Sequence, residues 1–171
     1  MNYSESFTSN SLQVELSNFL KEEKREESIS EIFSGLSASQ KFISSRFFYD
    51  KTGSDLFEEI TALPEYYPTR TEKSILKDVA SEIIPVERNH AIVELGSGDC
   101  SKISILLDAI DKRDLESIHY FPVDISEAAI LKSAGWLSQR YPEVKIHGLL
   151  ADFMKHLNVV PGKGNRMICF F

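Results

Sequence analysis

The sequence is poor in cysteine, with only Cys100 and Cys169 in 171 residues. Two cysteines build no disulfide framework, and without a CxxC pair they offer no ordinary zinc site. Long apolar runs are also missing. Nowhere do about 18 apolar residues follow one another, so no membrane-spanning helix is expected. The opening M-N-Y-S-E-S-F-T-S-N-S has neither a basic start nor an apolar stretch and does not read as a secretory signal. Basic residues are outnumbered, 19 Lys and Arg against 26 Asp and Glu, for a net charge of −7. Such a chain does not draw phosphate backbones to it, so nucleic acid is not an expected partner. A reducing, cytoplasmic setting without a membrane partner fits these absences. With 42% hydrophobic and 26% charged residues, the chain is expected to be globular with a real core.

Residues 1–10, rich in Ser, Asn and Thr, are expected to fray. Leu12, Val14, Leu16, Phe19 and Leu20 are compatible with a short helix, and K-E-E-K-R-E-E-S at 21–28 with a solvated helical face. Ile29, Ile32, Phe33 and Leu36 continue helical spacing as far as S-G-L-S-A-S. After an irregular aromatic stretch, Thr52-Gly53 reads as a turn. Ser54 and Asp55 then read as the start of a helix carrying Leu56, Phe57 and Ile60, which stops at L-P-E-Y-Y-P. Thr69 or Thr71 caps the next helix to about Ile84, with Ile75, Leu76, Val79 and Ile83 inward and Pro85 as its stop. Residues 1–85 thus read as a mainly helical region.

From residue 86 the pattern changes. Ala91–Leu95, Ile118–Val123 and Val144–Leu150 read as short apolar strands. Helices are expected at Ser101–Ile110 and Ser126–Tyr141, the second with Ala128, Ile130, Leu131, Ala134 and Leu137 inward. A short helix at 152–157 and the turn P-G-K-G-N lead to a further strand from Arg166. This alternation implies βαβ units, an α/β class and a parallel sheet. The chain ends on M-I-C-F-F, and three or four strands covered on one side do not complete a doubly wound sheet. Residues 86–171 are therefore expected to be the first half of a truncated domain. Its open side is expected to favour self-association.

The chemistry gathers at V-E-L-G-S-G-D-C-S-K, residues 93–102. A strand, Glu94, Gly96-Ser97-Gly98 and then a helix is the plan of a nucleotide-binding first crossover. The glycines allow positive φ and remove Cβ atoms where a ligand lies against the backbone. A dinucleotide fingerprint calls for a third glycine where this chain has Ser101, and no G-K-[ST] follows to make a P-loop. Acids recur after the next two strands. Asp124, in F-P-V-D, lies where an acid reads ribose hydroxyls, or it caps the next helix. Asp152, in A-D-F, can accept from an exocyclic amine beside Phe153, as an adenine would offer, or cap a short helix. Together they favour an adenosine-containing ligand. Glu94, Asp99 and Asp124 around one mouth disfavour a pyrophosphate and suit S-adenosylmethionine, which carries a sulfonium and no phosphate.

These motifs are joined by F-F-Y-D-K-T-G-S-D-L-F-E-E-I-T-A-L-P-E-Y-Y-P-T-R-T-E at 47–72, L-L-D-A at 106–109 and Y-P-E-V-K-I-H-G at 141–148. The set resembles the histidine-specific, S-adenosylmethionine-dependent methyltransferases of ergothioneine biosynthesis, from about residue 40 onward. L-P-E-Y-Y-P-T-R is its most specific part. The resemblance implies a class I methyltransferase (Rossmann-like) fold and transfer of the sulfonium methyl to the α-amino nitrogen of an amino acid, histidine foremost. It implies that Gly96, Ser97, Gly98 and Lys102 lie near the cofactor, that Asp124 binds the ribose, and that Asp152 and Phe153 hold the adenine. Tyr66 would line the amino-acid substrate site; apart from the resemblance it reads first as a core tyrosine of an aromatic-rich helical cap. No catalytic residue and no metal are assigned.

Family members continue into a G-S-x-I-G-N segment, the rest of the sheet and an inserted substrate domain, none of which lies in these 171 residues. The chain alone is therefore expected to be inactive. Cys100 reads as a small turn residue, and His90, His119, His147 and His156 fall on different elements without a catalytic role. The other readings are a same-family methyltransferase for another small amine, a nicotinamide oxidoreductase, and a non-catalytic nucleotide-binding or interaction module.

Overall fold

A computed structural model describes residues 14–20, 25–84, 90–160 and 165–171. The expectations for residues 1–10, for Leu12, for 21–24, for Pro85 and for the turn at 161–164 fall outside them. Five strands, β1 Val14–Asn18, β2 Ala91–Leu95, β3 His119–Asp124, β4 Lys145–Leu150 and β5 Arg166–Phe170, form one sheet. Their order is β1-β4-β3-β2-β5, and every pairing is parallel. The helices are α1 Arg25–Ser37, α2 Lys51–Ala62, α3 Pro68–Ile83, α4 Ser101–Asp108, α5 Lys112–Leu115 and α6 Glu127–Arg140. The α/β class and the parallel sheet are those the sequence implied.

Within the stretch expected as a helix at Leu12–Leu20, the described residues Val14–Asn18 are instead β1, an edge strand whose Val14 and Leu16 stand opposite Ile146 and Gly148 of β4. Only alternate residues of this segment meet the core, and the partner that fixes them lies at the far end of the chain. Histidines thought scattered help to hold it. His147 Nδ1 lies 3.1 Å from Glu15 Oε2, and His147 Nε2 lies 3.1 Å from His119 Nδ1, so one hydrogen-bonded chain crosses β1, β4 and β3.

The steps β2 to β3 and β3 to β4 run in the same direction across the sheet, so right-handed crossovers place their helices on one face. There Ile103, Leu106 and Leu107 of α4 and Ala134 and Leu137 of α6 pack on Ile92, Tyr120, Ile146 and Cys169. Within α6 the expected inward set is corrected. Ile130, Ser133, Ala134 and Leu137 are buried, whereas Ala128 and Leu131 face solvent. The return from β4 to β5 crosses the other face, where Val159 and Val160 cover Val93, Val123 and Leu149. Beyond that strap Ile168 and Phe170 of β5 remain exposed.

The close seating of α6 depends on Gly148. A Cβ there would come 2.7 Å from Ile130 Cγ2 and 2.9 Å from Leu16 Cδ1. Gly148→Ala must therefore displace the Ile130 and Leu16 side chains and loosen the packing of α6 and β1 on β4. The expected cost is about 1–3 kcal/mol, read as a lowered midpoint in urea unfolding.

The helical region differs in detail from its sequence reading. α2 starts at Lys51 rather than Ser54, capped by Asp50, whose side chain accepts from Gly53 N at 2.7 Å. α3 starts with Pro68 at its first position, and neither Thr69 nor Thr71 caps it. Its buried residues are Leu76 and Ala80, while Ile75 and Ile83 are exposed. On α1 only Gly35 is buried; Ile29, Phe33 and Leu36 are exposed. The expected helix at 152–157 is a turn followed by one 3₁₀ turn, Leu157–Val159.

Candidate functional site

In an open parallel sheet a crevice forms outside the C-terminal strand ends where the strand order reverses. Here that point lies between β2 and β5, and the chain places its glycine loop there. Gly96 and Gly98 have φ of 68° and 44°, a region in which a side chain is strained. Space is not the reason: a Cβ on Gly96 would meet only Phe153 Cε1, at 3.8 Å, and one on Gly98 only the Gly96 carbonyl oxygen, at 3.9 Å. The turn demands glycine for its backbone, and the room beside it stays open.

Asp124, at the end of β3, fixes this loop. One carboxylate oxygen accepts from Gly98 N at 3.0 Å and the other from Ser126 N at 2.9 Å. It is therefore not the cap of α6. That role falls to Ser126, whose Oγ accepts from Ala129 N at 3.3 Å. The loop is held on its other side by Ser133 Oγ, which donates to the Gly98 carbonyl at 2.8 Å, and Gly96 N donates to the Val123 carbonyl at 2.8 Å. A preformed turn results, anchored to the two strands and the helix that flank it.

Around the loop lies a cavity of about 660 Å³, a volume suited to a ligand of cofactor size. Gly96, Ser97, Gly98 and Lys102 line it from β2 and α4, Asp124 from β3, and Asp152 and Phe153 from the turn after β4. Tyr66 lines it from the segment that joins α2 to α3. Its ring packs edge-on against Phe57 with centroids 6.1 Å apart. All eight residues singled out in the sequence thus face one space. The helical region forms its second wall through Arg46, Tyr49, Phe57 and Glu72, residues the sequence reading left unassigned although most of them lie in or beside its aromatic motif.

Charge in the cavity is unevenly matched. Lys102 Nζ pairs with Glu72 Oε2 at 2.7 Å, tying the first turn of α4 to α3, and lies 5.3 Å from the centre of the Phe171 ring. Arg46 pairs with Glu31 at 2.6 Å. Asp99, Asp124 and Asp152 bring carboxylates to the same space. Glu94 lies at its floor, 2% exposed, with Tyr120 Oη donating to its Oε2 at 2.5 Å. Burial pushes this carboxyl up to about 8, and Asp99 and Asp124 push the same way against the pull of Tyr120 and Lys102. Ser97 Oγ is buried and has no hydrogen-bond partner among the described residues, a state that a polar ligand group would relieve.

Cys100, just before α4, has its thiol raised by burial and by Asp99. It stays protonated, which agrees with a turn residue rather than a nucleophile. His119 and His147 meet each other away from the cavity, on the N-terminal halves of their strands. Among the described residues no three His, Cys, Asp or Glu side chains are grouped to hold a metal ion, and no helix is long and apolar enough to cross a membrane.

Residues 28–171 match the family described as histidine-specific methyltransferase, SAM-dependent. The histidine N-alpha-methyltransferase of Mycolicibacterium smegmatis is 41% identical over 162 residues, covering 93% of this chain and 50% of that protein. Its namesake in Mycobacterium tuberculosis is 38% identical over 141 residues, 82% of this chain and 43% of the relative. Ergothioneine biosynthesis protein 1 of Schizosaccharomyces pombe is 35% identical over 115 residues, 64% of this chain and 15% of the relative. The chain thus spans about half the length of the bacterial relatives it matches. By the extent of these matches and by the loop and cavity it builds, the chain belongs to the histidine-specific, S-adenosylmethionine-dependent methyltransferases.

Proposed function

We propose that the protein transfers methyl groups from S-adenosylmethionine to the α-amino nitrogen of histidine, with this chain supplying the donor site and one wall of the acceptor site. The observation that carries the reading is the convergence of Gly96, Asp124, Asp152, Phe153 and Tyr66 on one cavity. The residues present fit the cofactor: a glycine turn open on its ligand side, a buried Ser97 hydroxyl unpaired among the described residues, and acids in place of the cations a pyrophosphate would need. In this reading Asp124 holds the ribose, Asp152 and Phe153 the adenine, and Lys102 stays near the cofactor through its place on α4. The helices α1 to α3 act as the acceptor-side cap, and residues 86–171, whose sheet β1 extends, act as the donor-side unit, working in the cytoplasm.

The bound cofactor supplies an electrophilic methyl group. The protein's task is positional, because holding amine and methyl in line removes most of the entropic barrier. In this reading Tyr66, which lines the same cavity as the glycine loop, orients the amine. An ammonium has no lone pair, so the amine must also lose a proton before each transfer, and the acidic cavity wall offers acceptors for it.

Incubating the whole protein with histidine and S-adenosylmethionine is expected to give mono-, di- and trimethylated histidine by mass spectrometry. Cofactor binding without any methylated histidine would move the acceptor to another amine. Failure of the chain to bind S-adenosylhomocysteine in calorimetry would overturn the donor site itself.

A further inference from the structure

Glu94 is the anomaly of the cavity wall, an acid set into an apolar strand. Its register partners are Pro122 and Cys169, and it is 2% exposed. One carboxyl oxygen accepts from Tyr120 Oη; among the described residues the other takes no hydrogen bond, and the residue lines the cavity. The titratable and charged groups around it come from every neighbouring element. They are Tyr120 and Asp124 on β3, Cys169 on β5, Asp99 and Cys100 in the glycine loop, and Lys102 on α4. The cation of that set, Lys102, is already engaged by Glu72.

Without a ligand, ionising Glu94 would add a buried negative charge beside Asp99 and Asp124, and among the described residues the nearby cation, Lys102, is already paired with Glu72, a costly arrangement. Burial, the largest influence on it, accordingly holds the carboxyl neutral near pH 7. A cation entering the cavity reverses that balance. A second observation marks the same place as a ligand site: Ser97, three residues along and 4% exposed, has a buried hydroxyl with no partner among the described residues.

We propose that binding of a cationic cofactor in this cavity expels the proton of Glu94, so that cofactor binding is coupled to proton release. This rests on the reading of the cavity as an S-adenosylmethionine site. The carboxyl O–H bond breaks, its electron pair stays on the oxygen, and the proton passes to solvent. The carboxylate left behind compensates the positive charge of the ligand within a site shielded from water, where such a pair is strong. An uncharged nucleoside of similar shape gains nothing from this exchange. The device therefore favours a positively charged donor over adenosine-like competitors.

The test is calorimetry of the 171-residue chain at about pH 7 in buffers of differing ionisation enthalpy, since the group is then still mostly protonated. Nearly one proton should be released per S-adenosylmethionine bound and none per adenosine. Release with S-adenosylhomocysteine as well would assign the ligand's ammonium as the partner, and release with S-adenosylmethionine alone its sulfonium. Apparent affinity should rise about tenfold per pH unit below the Glu94 midpoint and level off above it. Glu94→Gln should bind without proton release and lose that slope. Binding without release, or equal release from the variant, overturns the proposal. A carbon-13 carboxyl titration of the ligand-free chain gives an independent reading. A Glu94 midpoint in the ordinary carboxylate range overturns the coupling whether or not ligand binds. A high midpoint with no binding at all overturns the cofactor reading, and the coupling falls with it.

Discussion

Glu94→Gln is expected to make the chain markedly more stable at alkaline pH and to leave it nearly unchanged in acid. The folded carboxyl is raised from 4.5 to about 8. In the fold, therefore, the neutral form is favoured. The stability this contributes is fully present below about 4.5, declines as pH rises, and is gone once the folded group has titrated near 8. A displacement of that size corresponds to a few kcal/mol, at most about 5, a large share of the stability of a small domain. Glutamine keeps an acceptor for Tyr120 Oη and removes the ionisation, so its unfolding midpoint should hardly move across this range. A second decline should survive in both proteins. Burial, with Glu94 as a lesser cause in the parent, pushes the Cys169 thiol up from 9.0 to about 12, and the unfolded thiol ionises first. Urea unfolding at about pH 5 and about pH 9 separates the two steps. Equal pH dependence in parent and variant would show that Glu94 is not the group responsible.

This acid also shows what a sequence can and cannot disclose. Glu94 stands out in V-E-L-G-S-G because it interrupts an apolar strand, and β2, β3, β4 and β5 were themselves legible as continuous apolar runs of the kind parallel sheets bury. Its partner Tyr120 was not legible. The contact needs the register of β2 against β3, Glu94 opposite Pro122, which puts Tyr120 one step back on the same face. The same limit hid β1. Val14 and Leu16 alternate, yet Phe19 and Leu20 break the alternation, and only pairing with Ile146 and Gly148 settles the matter. The glycine loop and the acids after successive strands were readable because each follows directly from the end of an element. Arg46, Tyr49 and Glu72 reach the cavity from segments brought there by tertiary packing, and no local spacing encodes that approach.

Gly53→Ala is expected to be the most damaging of the glycine substitutions, although in the sequence Thr52-Gly53 looked like a plain turn. Gly53 lies in the first turn of α2, where a Cβ would fall 1.6 Å from the Phe48 carbonyl oxygen and 2.8 Å from its carbon. Backbone cannot swing aside as the tip of a side chain can. The first turn of α2 must therefore part from Phe48 and Asp50, and the two bonds that start the helix go with it. These are Gly53 N to Asp50 Oδ1 at 2.7 Å and Ser54 N to the Asp50 carbonyl at 2.9 Å. Overpacking of this kind, with a lost cap added, costs about 2–4 kcal/mol. The displaced segment carries Arg46 and Tyr49, which line the same cavity as the glycine loop. On the proposed reading, histidine binding by the whole protein should weaken more than cofactor binding, since the loop, Asp124 and Asp152 keep their own anchors. Gly135→Ala supplies the contrast. It lies within α6 with nothing within 4 Å of the added carbon, so alanine should stabilise the helix by about 0.5–1 kcal/mol. Unfolding curves for the two variants should move in opposite directions. A Gly53→Ala protein as stable as its parent would mean that Phe48 and α2 do not approach as closely as the clash requires.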